Sequence, residues 1–577
     1  MWALTSARLM PSPLVDLLAF ELAPREGRVQ AVLRIATACA ITVAIAMVFQ
    51  IPEPTYMAYI VFLCAKDEIS ATVTTGVGAL IAATLASVLN LGLLLIDTAE
   101  PALRLPAMAL ATFVGMYTIR TLALGPVTFL IGFLIVLLQT VVDDIPSPES
   151  LTRLTLWMWV VVLIPIATMI TVNLAFAPAS RILLERAFRK VLAELESGLR
   201  TQISRTDLAR WREAAAPLLA KLNEAAARGP SNLAVSPAAV QRLLEVLTIL
   251  EALPERRLGD ATSPAEIALR SALARMYEAL TQPAAPAAAQ PQAPKHKQMF
   301  VPDAFSNPAH WQFALKTTLA VMVVYMTYTL LNYPTVRTSV VTCFFVALGS
   351  LGETVHKLTL RVSGAIIGGV LAGICIVWVL PHMTDIGQLC ALIALFSVGA
   401  GWIATSSERL SYAGMQIAFA FFLGLLQGYA PATDLSLLRD RVAGIVLGNV
   451  VIALVFSVLW PESARTRLRT ALAEALSAIG TLLKAPETSV RPRVVQALVQ
   501  SQHYAELSAF ELQMLPADAD RDAALVGDVR RLAGAAFVAT SDALTGLPDI
   551  RESQIANARS ATEQLRSEIE HATATTH

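Results

Sequence analysis

Two short apolar stretches carry the side chains with the most chemistry to offer. In "NYPTVRTSVVTCFFVALGS" (332–350), Arg337 stands just inside the apolar run, and Thr338 and Thr342 form an i, i+4 hydroxyl pair. In "IPEPTYMAYIVFLCAKDE" (51–68), Tyr56 and Tyr59 fall on one helix face. A guanidinium keeps its charge in almost any surroundings and offers a planar fork of donors to a carboxylate. Set beside hydroxyls and aromatic rings, it suits an anion with an apolar body. Arg361 and Arg441, also near the ends of apolar runs, extend this set of candidate binding residues. Arg34, Arg120 and Lys316 occupy similar places, and for Arg34 and Lys316 the preferred reading is an interface anchor whose charged tip reaches toward water.

At the far ends of the same two stretches lie acidic positions that correspond. "KDE" supplies Asp67 and Glu68, and "GETVHK" supplies Glu353 and His356. A partly buried carboxylate or a histidine can carry protons in a coupled cycle, which makes these four the proton-coupling candidates. A solvated loop with local ion pairs is the simpler explanation and the favoured one.

Both stretches are too short for an ordinary crossing. About ten apolar residues in a helix cover roughly 15 Å, half the hydrocarbon core of a bilayer. The remainder must be polar or non-helical backbone, tolerated only where it is buried in protein or lines a water-filled cavity. The competing explanation is a pair of half-buried tilted helices.

The surrounding composition is that of a polytopic membrane protein. Of 577 residues, 55% are apolar and only 15% charged, against about 25% in soluble domains. Runs such as 71–96 and 442–460 reach the length of about 20 residues that spans a bilayer. Six spans are expected in 29–177, near 29–50, 55–66, 71–96, 103–120, 125–142 and 152–177. Six more are expected in 313–460, near 313–331, 335–349, 362–380, 388–405, 411–429 and 440–460. The fold class is therefore all-α, with about twelve spans in two transmembrane blocks and helical cytoplasmic domains. The expected domains are a cytoplasmic N-terminal segment (1–28), transmembrane repeat 1 (29–177), a helical cytoplasmic domain (178–280), a Pro/Ala-rich linker (281–312), transmembrane repeat 2 (313–460) and a second helical cytoplasmic domain (461–577). The N-terminal segment is too polar for a cleavable signal.

Arginines and lysines beside the first, sixth and twelfth spans place both termini and both soluble regions in the cytoplasm. The halves also repeat: Pro54 matches Pro334, Gly78 matches Gly364, Arg153 matches Arg439 and Pro178 matches Pro461, at offsets of about 280 to 286 residues. Two six-span repeats enter from the same side, so their pseudo-twofold axis runs along the membrane normal. In such transporters, paired short segments point to the binding site. Small-xxx-small pairs at Gly364/Gly368, Gly369/Gly373, Gly444/Gly448 and Gly78/Ala82 read as close helix packing.

Enzyme signatures are missing. No Walker A sequence, nucleophile elbow or metal-ligand spacing is present, so no catalytic residue, metal or cofactor is assigned. Zero net charge gives no reason to expect nucleic acid. The five cysteines all lie in apolar runs and read as small hydrophobes.

Two blocks of six spans, helical cytoplasmic regions after each, and the sequences "LRVSGAIIGG" (360–369) and "LRDRVAGIVLGNVVIALVF" (438–456) resemble the fusaric acid resistance family of inner-membrane proteins. Where that family often opens the second span with a Pro-x-Trp-Ala type signature, this chain has Pro54, Thr55, Tyr56, Met57 and Ala58. The arginine that commonly precedes the third-span glycines is present as Arg361 but has no counterpart in the first half. The resemblance implies efflux of aromatic carboxylic acids or related weak organic anions, powered by the proton-motive force. It further implies a periplasmic membrane-fusion adaptor protein and an outer-membrane channel as partners, alongside the lipid bilayer. A passive organic-anion channel resembling the plant malate channels is the alternative. A membrane scaffold that binds a partner through its cytoplasmic helices is a third reading. Whether the chain forms a homo-oligomer is left open by the sequence.

Overall fold

The computed structural model describes residues 21–574 except 25–26, 67–68, 98–100, 146, 177–179, 202, 228–234, 254–262, 282–298, 348–350, 407, 430–433, 462, 486–489, 509–515 and 546. Most of the N-terminal segment, most of the Pro/Ala-rich linker, and the candidates Asp67 and Glu68 lie outside the described residues. The chain divides into two compact units, one formed by 1–179, 296–349 and 356–461 and the other by 180–295, 350–355 and 462–577.

Among the described residues the first unit contains two sets of six α-helices. The first set is α1 (Arg28–Val48), α2 (Pro54–Cys64), α3 (Ile69–Asp97), α4 (Arg104–Thr121), α5 (Gly125–Gln139) and α6 (Pro148–Phe176). Among the described residues seven helices are long and apolar enough to cross a membrane, and α1, α3 and α6 are among them. α2 is short for a local reason: Glu53 adopts a left-handed backbone (φ 59°) and Pro54 fixes the first helical turn, while Ala65 becomes extended just before Lys66.

Between the units' contributions the numbering passes through α7 (Ser180–Arg200), α8 (Arg205–Ala227), α9 (Pro237–Ala252) and α10 (Pro264–Thr281). The second set is then α11 (Pro308–Leu330), α12 (Thr338–Val346), α13 (Leu351–Ile374), α14 (Ile386–Ala404), α15 (Glu408–Leu425) and α16 (Leu435–Val458). α12 repeats the logic of α2. Asn332 takes a left-handed backbone (φ 50°), Pro334 opens a single 3₁₀ turn through Val336, and Ala347 ends the helix in an extended conformation. The two segments that the sequence marks as too short to cross are thus short helices entered through a left-handed residue and a proline.

Packing within this unit crosses from one set to the other in reciprocal fashion. α1 lies against α14, and α11 lies against α4; α2 lies against α15, and α12 touches α5. Glycines permit the tightest seams. A Cβ at Gly444 would run into the Thr338 hydroxyl and sit 2.7 Å from the Val336 carbonyl, and one at Gly448 would sit 2.6 Å from the Ser339 carbonyl. α16 therefore lies directly against the α12 backbone. At the second seam, a Cβ at Gly364 would lie 2.7 Å from Gln416 Cβ, and one at Gly368 would collide with the Ile417 carbonyl. α13 is pressed onto α15 there. Gly369 and Gly373 meet only Leu438 and Val442 side chains at ordinary contact distances.

The second unit joins α7–α10 with α17 (Ala464–Lys484), α18 (Arg491–Ser508), α19 (Pro516–Ala539) and α20 (Pro548–Ala574). One apolar core draws on both regions, with Phe188, Trp211, Leu243 and Ile249 packed in the same cluster as Leu476, Val494, Phe537 and Leu544. α9 runs against α19. Its start is capped by Ser236, which accepts from the Ala239 amide at 3.2 Å, with Pro237 at the first helical position. Buried charge accompanies the core. Glu245 accepts from Arg491, pairs with Arg242 at 3.0 Å and with Arg275 at 3.3 Å, and Arg491 also donates to the Thr540 carbonyl at 2.9 Å. Glu251 pairs with Arg212 and lies 3.5 Å from Arg530. Burial pushes the Arg530 guanidinium down to about 10, helped by the like charge of Arg212, so it stays protonated at neutral pH.

Candidate functional site

The first unit holds a cavity of about 220 Å³ between α2, α3, α5, α6, the turn before α12, and α16. Its cationic side is Arg337 and Arg441, with Thr335 and Thr338 beside them and Tyr56 and Glu53 adjoining. Its apolar wall comes from α3, α5 and α6, including Ala86, Leu134, Leu138 and Met158. Ser87, Asn90 and Thr155 add hydrogen-bonding groups among that wall.

Each cation is held in place by the backbone around it. Arg337 donates through Nε to the Pro334 carbonyl at 3.3 Å and pairs through Nη2 with Asp144 at 2.7 Å, both side chains about a third exposed (31% and 33%). Asp144 belongs to a 3₁₀ turn, Val142–Asp144, that follows α5. Arg441 donates to the Leu423 carbonyl at 3.1 Å, and no carboxylate pairs with it among the described residues. Its own carbonyl accepts from the Thr338 hydroxyl at 3.0 Å, which ties α16 to α12 at the Gly444 seam.

Arg361, Thr342 and Tyr59 are not part of that lining. They form a second cluster behind it. Arg361, 1% exposed, donates from Nε to the Thr342 hydroxyl at 3.2 Å and from Nη1 to the Tyr412 hydroxyl at 3.1 Å and the Gln416 side-chain carbonyl at 2.9 Å. Gln416 in turn donates to the Tyr59 hydroxyl at 3.3 Å. Two contacts join the clusters. Thr342 donates to the Thr338 carbonyl at 2.8 Å, and Tyr56 and Tyr59 both pack on Phe419, with ring centroids 6.0 and 4.3 Å away. Of the residues singled out in the sequence, Tyr56, Arg337, Thr338 and Arg441 meet at the cavity, while Tyr59, Thr342 and Arg361 meet at the inner cluster.

Glu353 and His356 sit in the first two turns of α13, half-buried, and neither lines the cavity. Lys316 donates to the Trp460 carbonyl at 3.0 Å and lies over Phe456, and Arg34 donates to Asn173 at 3.0 Å. Sequence reasoning missed Asp144, Tyr412 and Gln416. Gln416 had a visible signal, being the only strongly polar side chain in "AGMQIAFAFFLGLL" (413–426). Asp144 stood in "DDIPSPES", which reads as a plain polar loop.

The sequence profile of the fusaric acid resistance protein family matches residues 364–575, a stretch that takes in α14–α16 and all of α17–α20. Multidrug resistance protein MdtO of Escherichia coli O157:H7 is 30% identical over 533 residues, which covers 83% of this chain and 76% of that protein. The chain belongs to the fusaric acid resistance protein family. MdtO of Shigella flexneri is likewise 30% identical over 533 residues, and that of Escherichia coli K12 29% identical, each with the same coverage. No solved structure matches. Within this family member the inner cluster reaches across both matched and unmatched sequence, since Arg361, Thr342 and Tyr59 precede residue 364 while Tyr412 and Gln416 follow it.

Proposed function

We propose that this chain is an inner-membrane efflux transporter for aromatic carboxylic acids or related weak organic anions. The observation that carries the reading is the cavity, where Arg337, Arg441 and Tyr56 share the lining with an aliphatic wall. A flat anion with an apolar body places its carboxylate on the guanidinium forks and its ring against the wall. Among the described residues Arg441 makes no ion pair, although Glu53 lines the same cavity, and Asp144 already holds Arg337, so an arriving carboxylate takes Arg441 first and competes with Asp144 for Arg337. Family membership and similarity to the multidrug resistance protein MdtO support the transport class.

In this reading the two sets of six helices are parallel repeats and all twelve cross the membrane, both termini being cytoplasmic. The reciprocal packing of α1 on α14 and α11 on α4, and of α2 on α15 and α12 on α5, supports a pseudo-twofold relation between them. The cavity then faces outward, because it lies at the ends of α3 and α5 that lead into the outer loops. The proton-motive force drives the cycle, with Glu353 and His356 as coupling candidates, and a periplasmic adaptor takes the cargo onward.

Uptake of labelled p-hydroxybenzoate into inside-out vesicles, with and without a proton gradient, tests the reading. Gradient-dependent accumulation is expected, and equilibration indifferent to the gradient points to the anion channel. Arg337→Ala removes a charge-assisted hydrogen bond of about 1.5–3 kcal/mol, so carboxylate affinity is expected to fall by roughly ten- to a hundredfold. Unchanged affinity and uptake in that variant would remove the cavity from consideration as the cargo site.

A further inference from the structure

We propose that Arg361, with Tyr412 and Gln416, is a second station for the same anion, closed off from the cavity in this structure by Tyr59 and Phe419; the proposal rests on the cavity being the cargo site.

Arg361 is a buried cation whose partners are all neutral. Its Nε and Nη1 reach a threonine hydroxyl, a tyrosine hydroxyl and an amide carbonyl, and its buried Nη2 has no acceptor among the described residues. No carboxylate pairs with it among the described residues. Taking a guanidinium out of water costs several kcal/mol, and a neutral cradle returns only part of that. In a membrane-embedded bundle, such a charge marks a substrate or ion path more often than a structural joint. A joint between α13 and α15 needs no cation, because Gly364 and Gly368 already bring the two helices into contact. The empty Nη2 position is where an anion's oxygen completes the set.

The position is one step from the cavity. Thr338 lines the cavity, and Thr342, one turn further along α12, accepts from Arg361. Tyr56 lines the cavity, and Tyr59, one turn further along α2, accepts from Gln416. Both short helices therefore present one residue to each site, about 5 Å apart along their axes. The Tyr59 ring packs against Phe419, centroids 4.3 Å apart, and in the proposal this contact closes the passage between the sites. Beyond Arg361, one turn back along α13, Lys357 lies over the Tyr412 ring at 5.2 Å, so the line of cations continues in the direction of Glu353 and His356. Gly364 and Gly368 hold α13 tightly on α15 beside Arg361, so in the proposal occupancy requires Tyr59 to leave Phe419 and this seam to part. That motion is the exchange between the inner and outer stations.

The test uses the full chain in proteoliposomes with p-hydroxybenzoate. Arg361→Gln is expected to lower flux at saturation at least tenfold while equilibrium binding at the cavity changes less than threefold, and Arg361→Lys restores at least a third of the flux. Wild-type flux in Arg361→Gln overturns the proposal. So does a joint loss of flux and binding that lysine does not rescue, which is the signature of a merely structural arginine. Where Arg361→Gln does not fold, Thr342→Cys in a chain stripped of its native cysteines decides the matter. Alkylation there is expected to speed up during turnover and to slow again when p-hydroxybenzoate is in excess, and a rate indifferent to both overturns the proposal. Arg337→Ala is run alongside. If it alone impairs uptake, the cavity reading stands and the second station falls; if neither variant impairs uptake, the cavity reading itself has failed.

Discussion

Arg491 and Arg361 are both almost fully buried, 5% and 1% exposed, and differ in what faces them. Arg491 in the second unit meets the carboxylate of Glu245, which Arg242 and Arg275 also approach. Burial pushes its guanidinium below the usual range, and the Glu245 charge works against that shift. Arg361 in the first unit meets a threonine, a tyrosine and a glutamine. The first arrangement satisfies itself and fastens α9 to α18. The second leaves a positive charge that meets no carboxylate among the described residues, the place the proposed anion would fill.

The sharpest way to break this contrast is Glu245→Ala. It strands three guanidiniums around a buried site, and a loss of about 3–5 kcal/mol is expected, read as a fall in the unfolding midpoint of the purified chain. Arg361→Gln strands no carboxylate, so the same measurement should show a much smaller shift even where transport is lost. Equal losses would mean that Arg361 is as structural as Arg491. An intermediate effect is expected of Gly444→Val, which overpacks the α12–α16 seam by about 1–3 kcal/mol and moves Thr338 away from the Arg441 carbonyl. Carboxylate binding should weaken severalfold in titration calorimetry. The smallest effect belongs to Arg153→Ala. Its 2.6 Å pair with Glu149 is 73% and 72% exposed, and a change below about 0.5 kcal/mol in the same unfolding assay is expected. Together these variants separate burial from pairing as the source of each arginine's importance.

The parts legible in the sequence were those set by local chemistry. Apolar run length placed the long helices, and Pro54 and Pro334 placed the two short ones, because a proline fixes the first turn whatever packs around it. Arg337, Thr338 and Tyr56 followed from being on those segments. Arg361 was visible as a charge in an apolar setting, but its partners were not. Gln416 and Tyr412 reach it only because Gly364 and Gly368 let α13 lie on α15, a choice of neighbour that no pattern along one helix reveals. Asp144 is of the same kind, since a turn after α5 meets Arg337 only through the packing of one set of helices on the other. The sequences of 178–280 and 461–577 marked both regions as helical domains. They did not show that each region covers the other.

That mutual cover has a consequence for how the chain can be made. The residues that bury Leu243 and Phe537 come from opposite ends of the polypeptide, and α1 and α11 each find a long helix of the other set to lie against. Neither half possesses a complete interior of its own. The peptide connecting them therefore acts as a counting device: it guarantees one copy of each half per molecule and keeps like halves from competing for the same partner surface, while cohesion resides in the seams.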